Sequence, residues 1–424
     1  MKTKIKSIIV TFLICSVSYS VLADNDPEID SLSMGSGYAN DIFYSFETGE
    51  VAAIERENWE IAFFTSGFSV GIITNGGIGI RLYNYPNGDT SNWNSIDTTG
   101  FLNWKLLFNS TATWEEGAFN RNALGHPDYG WGIYNMNNHH IVGDSLFILD
   151  SPFSGLKKLW IVEKDAVQNI YRFRYANLDG TDLQEVELNI SEYTDKRFIY
   201  YSLDDNQVTD REPDSDRWDI LFTKYWELVP NNEGDFSPYI VTGVLSNVDI
   251  TSNEFYPVGP DFMDWDSKPM DSIINNIGYD WKILTPEFSW EIKDSNYYFI
   301  RNYAGSIYKM WFEWWGGSST GDFSFYKQMV GTVSVNEFHT SQESLLVFPN
   351  PATNYLTIKT PEGLEGIFEI FLYDQNGRKV LSRVLSENDL KNNIHISNLN
   401  LPGGFYIVTL TGDNYTRSQS LIIR

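Results

Sequence analysis

The chain has 424 residues and a net charge of −26, from 56 Asp and Glu against 30 Lys and Arg. That length supports two or three domains with cores of their own, and that charge excludes nucleic acid and anionic lipid as partners. The single cysteine, Cys15, falls in the first 23 residues. The remainder therefore has no disulfides and no thiolate chemistry.

Residues 1–23 read as a secretory signal peptide. Lys2, Lys4 and Lys6 precede an apolar run from Ile8 to Leu22, and small residues at Val21 and Ala23 set up cleavage after Ala23. The run is too short for a transmembrane span. From there to about residue 335, alternating stretches such as "IYRFRYANL" (170–178) and "KKLWIVEK" (157–164) are punctuated by turn signals such as "NLDGTD" and "WGGSSTGD". With 27 Phe, 25 Tyr and 14 Trp, this is an all-β composition. The one helix candidate is the short "ENDLKNN" near Asn388.

The body repeats itself. "IFYSFETGEVAAIERENWEIAFF" (42–64) is echoed by "FIYYSLDDNQVTDREPDSDRWDILFT" (198–223). In the same order, "VGIITN" at Val70 matches "TGVLSN" at Thr242, "YGWGIY" at Tyr129 matches "YDWKIL" at Tyr279, and Asp144-Ser145 matches Asp294-Ser295. "KLW" at Lys158 then matches "KMW" at Lys309, and "YRFRY" at Tyr171 matches "FSFYK" at Phe323. Two related β-sheet units in tandem are expected, 24–195 and 196–335, then a linker at 336–344 and a small β-sandwich at 345–424. Period two puts Trp59, Ile61 and Phe63 on one strand face, with Glu60 and Ala62 on the other. Trp218, Ile220 and Phe222 follow suit, with Asp219 outward. These words read as core strands. The junction "NISEYTDKRF" (189–198) has no Pro/Gly linker, which leaves open whether the copies are independent domains or interlocked halves.

Residues 341–424 differ in kind. They carry 8 acids and 7 bases, so nearly all the excess negative charge belongs to the body. Strand signals are regular, with an Asn376-Gly377 hairpin turn and a Pro-Gly-Gly turn before "FYIVTL". About seven strands in a sandwich are expected. The words Pro349-Asn350-Pro351, Asn354-Tyr355-Leu356, Asn376-Gly377-Arg378 and Leu401-Pro402-Gly403-Gly404-Phe405-Tyr406 closely resemble the type A C-terminal sorting domain of the type IX secretion system of Bacteroidota. That resemblance implies the type IX machinery as a partner and export across the outer membrane, followed by release or surface attachment.

The body resembles the HmuY-like family of Bacteroidota surface proteins. The matching pieces are Phe43 to Val51, Trp59 to Phe63 and Thr74 to Gly77 in one copy. In the other they are Trp218 to Phe222, Gly278 to Ile283 and Gly305 to Phe312. The resemblance implies an all-β fold and a candidate haem ligand, clamped between two axial side chains. Such ligation needs His or Met across an apolar slot. The candidates are His126, His139, His140 and Met136, in the segment where the copies differ most; His339 and His395 lie in the linker and the tail. Copy two offers only Met263 and Met270 there. The alternative is an adhesion or glycan-binding module using exposed aromatics such as Trp314-Trp315. An enzyme is not expected: the chain lacks a Gly-x-Ser-x-Gly elbow, a His-Glu-x-x-His helix and a phosphate loop. The acidic stretches 24–30 and 210–216 lack a calcium-loop pattern and read as solvated turns, with no metal expected.

Overall fold

A computed structural model describes residues 26–332, apart from 66–68 and 232–233, and most of 346–423. The expected signal peptide and the 336–344 linker lie outside the described residues. Alternation becomes strand throughout, and the helix candidate is a single turn, Glu387–Leu390.

Four runs of strands succeed one another in the body. The first comprises β1 (Glu28–Ser33), β2 (Asn40–Ser45) and β3 (Gly49–Glu55). The second comprises β4 (Ile61–Phe64), β5 (Ile72–Thr74), β6 (Arg81–Asn84), β7 (Leu106–Leu107), β8 (Gly132–Tyr134), β9 (Ile141–Gly143), β10 (Phe147–Ser151), β11 (Gly155–Asp165) and β12 (Ile170–Asn177). The third comprises β13 (Gln184–Asn189), β14 (Phe198–Ser202) and β15 (Gln207–Thr209). The fourth comprises β16 (Ile220–Pro230), β17 (Phe236–Ser246), β18 (Thr251–Phe255), β19 (Lys282–Leu284), β20 (Trp290–Ile292), β21 (Tyr297–Arg301), β22 (Ser306–Trp315) and β23 (Asp322–Thr332).

Runs two and three build lobe one. Its sheets are β15-β14-β4-β5 and β13-β12-β11-β10-β6-β7, the second extended where β9 pairs with β11 and β8. Ile61, Phe63, Phe147, Ile161, Phe173, Ile199 and Tyr201 meet in its core. Runs four and one build lobe two, from sheets β17-β16-β2-β3 and β1-β23-β22-β21-β18. Its core joins Met34, Ile42, Tyr44 and Phe46 to Ile220, Phe222, Tyr298, Phe312 and Phe325. Each lobe is thus two sheets closed over an apolar interior.

The copies therefore interlock. β14 of the second copy pairs with β4 of the first, Tyr201 opposite Ile61. β2 of the first copy pairs with β16 of the second, Tyr44 opposite Ile220. β1 likewise lies against β23, Leu32 opposite Phe323. The expected boundary between residues 195 and 196 does not separate two folding units. Strand pairing is decided by which edge is free and which face is apolar, and similarity between copies carries neither.

The repeated phrase is the device that closes each lobe. The acid of each Trp-acid-Ile word is buried, and it does not face outward as period two predicts. Glu60 accepts the Leu203 N–H at 2.5 Å, and Asp219 accepts the Phe46 N–H at 2.7 Å. Leu203 and Phe46 are equivalent positions at the turns of the hairpins that cross over. The carbonyls of the same residues are held from matching strands, β12 in lobe one and β23 in lobe two, Leu203 by Tyr175 Oη at 3.0 Å and Phe46 by Lys327 Nζ at 3.2 Å. Asn75 donates to the carbonyls of Arg56 and Trp59, as Asn247 does to those of Ser215 and Trp218. The regular strands begin only at Ile61 and Ile220. Trp59 consequently leaves the predicted face and packs with Ala62 and Phe64, and Trp218 packs with Phe43 and Leu221.

The two lobes meet through Asp41, Arg56 and Arg211, all buried. Arg56 comes from the first copy and Arg211 from the second. Arg56 Nε reaches Asp41 Oδ1 at 2.9 Å and Arg211 Nη2 reaches Asp41 Oδ2 at 2.9 Å. Thr223 Oγ1 adds a third bond at 2.6 Å. Burial pushes the Asp41 carboxyl upward, but its two guanidinium partners and the hydroxyl outweigh burial and hold it below the usual range.

The closing acids behave in the opposite way. Burial raises Glu60 to about 7 and Asp219 to about 6, against the lowering effect of the N–H groups they accept. Glu212, buried against the N–H groups of Arg197 and Phe198, is also raised to about 7. A folded-state pKa above the unfolded one means that the native state binds protons more tightly, so stability grows as pH falls through that window. Of the buried lysines, Lys164, lowered to about 8, is mostly protonated by pH 7, while Lys282, lowered to about 7, works against this rise near pH 7 and adds little slope below pH 6. Stability is expected to rise between pH 7 and pH 5. The E60Q/D219N variant, which keeps a carbonyl acceptor at each turn, should show a flatter profile. Urea denaturation across that range checks it, and an unchanged slope in the variant would rule these acids out as its source.

The tail has its own sandwich. Strands β24 (Leu346–Phe348), β25 (Tyr355–Lys359) and β28 (Ile394–Ser397) form one sheet. Strands β26 (Phe368–Asp374), β27 (Lys379–Leu385), β29 (Gly404–Gly412) and β30 (Tyr415–Ile423) form the other, ordered β27-β26-β29-β30. Leu356, Ile358, Ile370, Val408, Leu410 and Leu421 lie in the core between them.

Candidate functional site

β22 contains a β-bulge. Its register against β23 shifts between Phe312 and Trp314, so Glu313 is the extra residue. In an unbroken strand, Phe312 and Trp314 would share the core face. The bulge instead sends Phe312 and Trp315 into the core and turns Trp314 out, 51% exposed. Of the aromatic pair proposed from sequence, only Trp314 is available to a ligand. Trp315 is buried and stacks on Tyr38 at 5.4 Å.

Trp314 borders an open groove of about 540 Å³ at the margin of lobe two, where the edge strands β1 and β3 come together. Ser31 and Ser33 line it from β1, Glu50 and Ala53 from β3, and Asp322 and Ser324 from β23. Ser324 lies directly across the ladder from Trp314, and Ser31 directly across from Ser324. The lining thus presents one large aromatic ring, three hydroxyls and two carboxylates, with no basic side chain. Gly316 makes room for the ring, since a Cβ there would stand 2.7 Å from Trp314 Cη2.

Lobe one repeats the bulge with different contents. The β11–β12 register shifts between Ile161 and Glu163. Glu163, Arg172 and Glu187 then occupy the positions of Trp314, Ser324 and Ser31. Arg172 bonds Glu163 at 2.9 Å and Glu187 at 3.0 Å, so an ion-pair lattice replaces the aromatic groove. His140 joins that lattice, its Nδ1 3.1 Å from Glu163 and its Nε2 3.4 Å from Asp165.

The other histidines go elsewhere. His126 packs against Tyr129 and Tyr134, with ring centroids 6.2 and 5.3 Å away. His139 is hydrogen-bonded to Tyr134 Oη. Met136 is exposed on the intervening turn. The structure therefore brings His126 and His139 to one tyrosine, while His140 is engaged by two carboxylates on β11. Among the described residues, no group of three or more His, Cys, Asp or Glu side chains is arranged to hold a metal ion. Asp210 and Asp214, in one of the acidic stretches, pair with Lys196.

Of the tail residues singled out, Asn350 accepts the Ile422 N–H through Oδ1 at 2.8 Å, tying the entrance of the domain to its last strand. Gly403 and Gly404 lead into β29, and Tyr406 Oη closes this turn on the Pro402 carbonyl at 2.8 Å. Pro349, Pro351, Asn376 and Gly377 lie outside the described residues. Sequence reasoning missed Ser31, Ser33, Glu50, Asp322 and Ser324. The signal that points to two of the site residues is a mismatch within matching words, Trp314 against Glu163 and Ser324 against Arg172.

Body and tail together define an all-β protein with a polar, aromatic-edged groove on one lobe and a separate seven-stranded sandwich at the C-terminal end. Residues 346–424 match the family model described as the secretion system C-terminal sorting domain. The chain thus carries a type IX secretion sorting domain, and the protein is exported across the outer membrane to the cell surface or the extracellular space. No curated protein matches the chain. The HmuY-like resemblance of the body has no support from these comparisons.

Proposed function

We propose that the protein is a non-enzymatic glycan-binding module acting at or beyond the cell surface. The observation that carries this reading is Trp314, turned out of the core by a β-bulge into a groove of hydroxyls and carboxylates. An indole ring supplies a flat apolar platform for the C–H face of a pyranose. Serine hydroxyls and carboxylates around it accept and exchange the hydrogen bonds of sugar hydroxyls. Export by the type IX route delivers this groove to where glycans are met. Haem has weaker support, because the four candidate ligands are dispersed between Tyr134, two carboxylates and solvent.

The expected result is that the full chain is retarded in a native gel containing polysaccharide and that W314A is not. Its affinity should fall by at least about tenfold, the effect of losing one aromatic anchor. Retardation of W314A equal to the wild type would remove the groove as the site.

A further inference from the structure

We infer that the ligand is an uncharged oligosaccharide chain spanning two indole platforms, Trp314 and Trp290, set on either side of Gly316-Gly317; this rests on the glycan-binding reading above. Trp290 lies on the β19–β20 ribbon opposite Leu284 and is 39% exposed. A Cβ on Gly316 would stand 2.7 Å from Trp314, and a Cβ on Gly317 would stand 3.3 Å from Trp290. The two rings therefore flank a single peptide unit, and their nearest atoms are at most about 13 Å apart. Gly317 has φ 72°, a left-handed conformation that suits glycine, so a bare backbone separates the platforms.

The root of the ribbon is fixed. Lys282 is buried between Trp281 and Trp315, its Nζ 4.0 and 4.8 Å from their ring centroids and 5.8 Å from that of Trp290. It donates to the Thr242 carbonyl at 2.6 Å. Lys293 N–H, at the end of the ribbon, donates to the Trp281 carbonyl at 2.9 Å. Trp290 is thus held in place before any ligand arrives, which lowers the ordering cost of binding.

Charge selects the ligand class. Asp322 and Glu50 line the groove with no base beside them, and the chain as a whole carries −26. A uronate or sulfated chain would meet like charge at the site and across the surface. A neutral chain would not.

The test is calorimetric titration of the full chain with cello-, manno- and laminari-oligosaccharides, from monosaccharide to hexasaccharide, alongside alginate oligomers. Affinity should climb with length in at least one neutral series and be absent for alginate. W290A should lose about tenfold on the longest ligand and nothing on the monosaccharide, and W290F should recover most of the loss. Thermal melts at the wild-type temperature would show that the variants are folded. If W290A kept the full climb while W314A lost all binding, the two-platform inference would be overturned and the glycan-binding reading would stand. Tighter binding to alginate than to every neutral series would overturn the ligand class. No binding to any saccharide would overturn both readings together.

Discussion

Deletion of residues 26–57 is expected to unfold lobe two and spare lobe one. The deleted strands β1–β3 belong to the first copy in sequence, yet they complete the core of the second lobe. Met34, Ile42, Tyr44 and Phe46 are each at most 1% exposed there. At roughly 1.5–3 kcal/mol per buried side chain, their loss rivals the whole stability of an ordinary domain. It also strips both sheets of an edge, β23 losing β1 and β16 losing β2. Hydrogen exchange should show β16–β23 amides losing protection while those of β4–β15 keep it. A lobe built from residues 24–195 would show the reverse, with damage in β4–β12, and that outcome would refute the exchanged architecture.

Asp41→Ala should destabilise the body by about 3–5 kcal/mol, the cost of leaving buried charge without its partner. The effect is large because two guanidinium groups depend on one carboxylate. Arg56 and Arg211 are both nearly inaccessible, and each spends a short bond on Asp41. Replacing either arginine alone leaves Asp41 with one cation and should cost less. The sign with pH is opposite to that of Glu60 and Asp219. Asp41 is held below its usual range, so its contribution is present above the unfolded carboxyl pKa and is lost as acid protonates it. Denaturation midpoints for D41A, R56M and R211M at neutral pH, followed by acid titration of the wild type, check both parts. Equal losses in all three variants would mean that the cluster is not centred on Asp41.

Much of the fold was legible, and the reasons are local. Lys157 to Lys164 and Ile170 to Asn177 alternate cleanly, and they pair as β11 and β12. The repeat was legible because Trp-acid-Ile, the Tyr-Ser turn and Lys-x-Trp each do the same structural job twice. Lys158 and Lys309, for example, both bury an amine on loop carbonyls, those of Trp93 at 2.9 Å and Phe262 at 3.0 Å. The partner of each hairpin was not legible. Tyr44 and Tyr201 carry the same word, and nothing in that word says which copy supplies the neighbouring strand. Glu60 and Asp219 were misplaced because an acid beside an apolar residue reads as solvent-facing, and only the crossing hairpin supplies the N–H that makes burial tolerable. The site was half legible. Trp314 stood out by type, but a bulge of one residue reverses the faces beyond it. Period-two reasoning cannot see a bulge without the partner strand. The histidine segment was chosen because the copies differ there. The same criterion, applied one residue at a time inside the matched words, leads to Trp314 and Ser324.

The pairing of β1 with β23 gives the body the topology of a closed ring. Glu28 lies opposite Lys327 and Ser33 opposite Asp322, so the two ends of the described body run side by side and either could be joined to the other by a short turn. Opened instead between Arg56 and Trp59, such a ring would read lobe one first and lobe two second, each from an uninterrupted segment, with every strand intact. The described strands follow a circularly permuted version of that simpler order, entering partway through lobe two, so β1 gains its partner only from β23 and β2 its second partner only from β16.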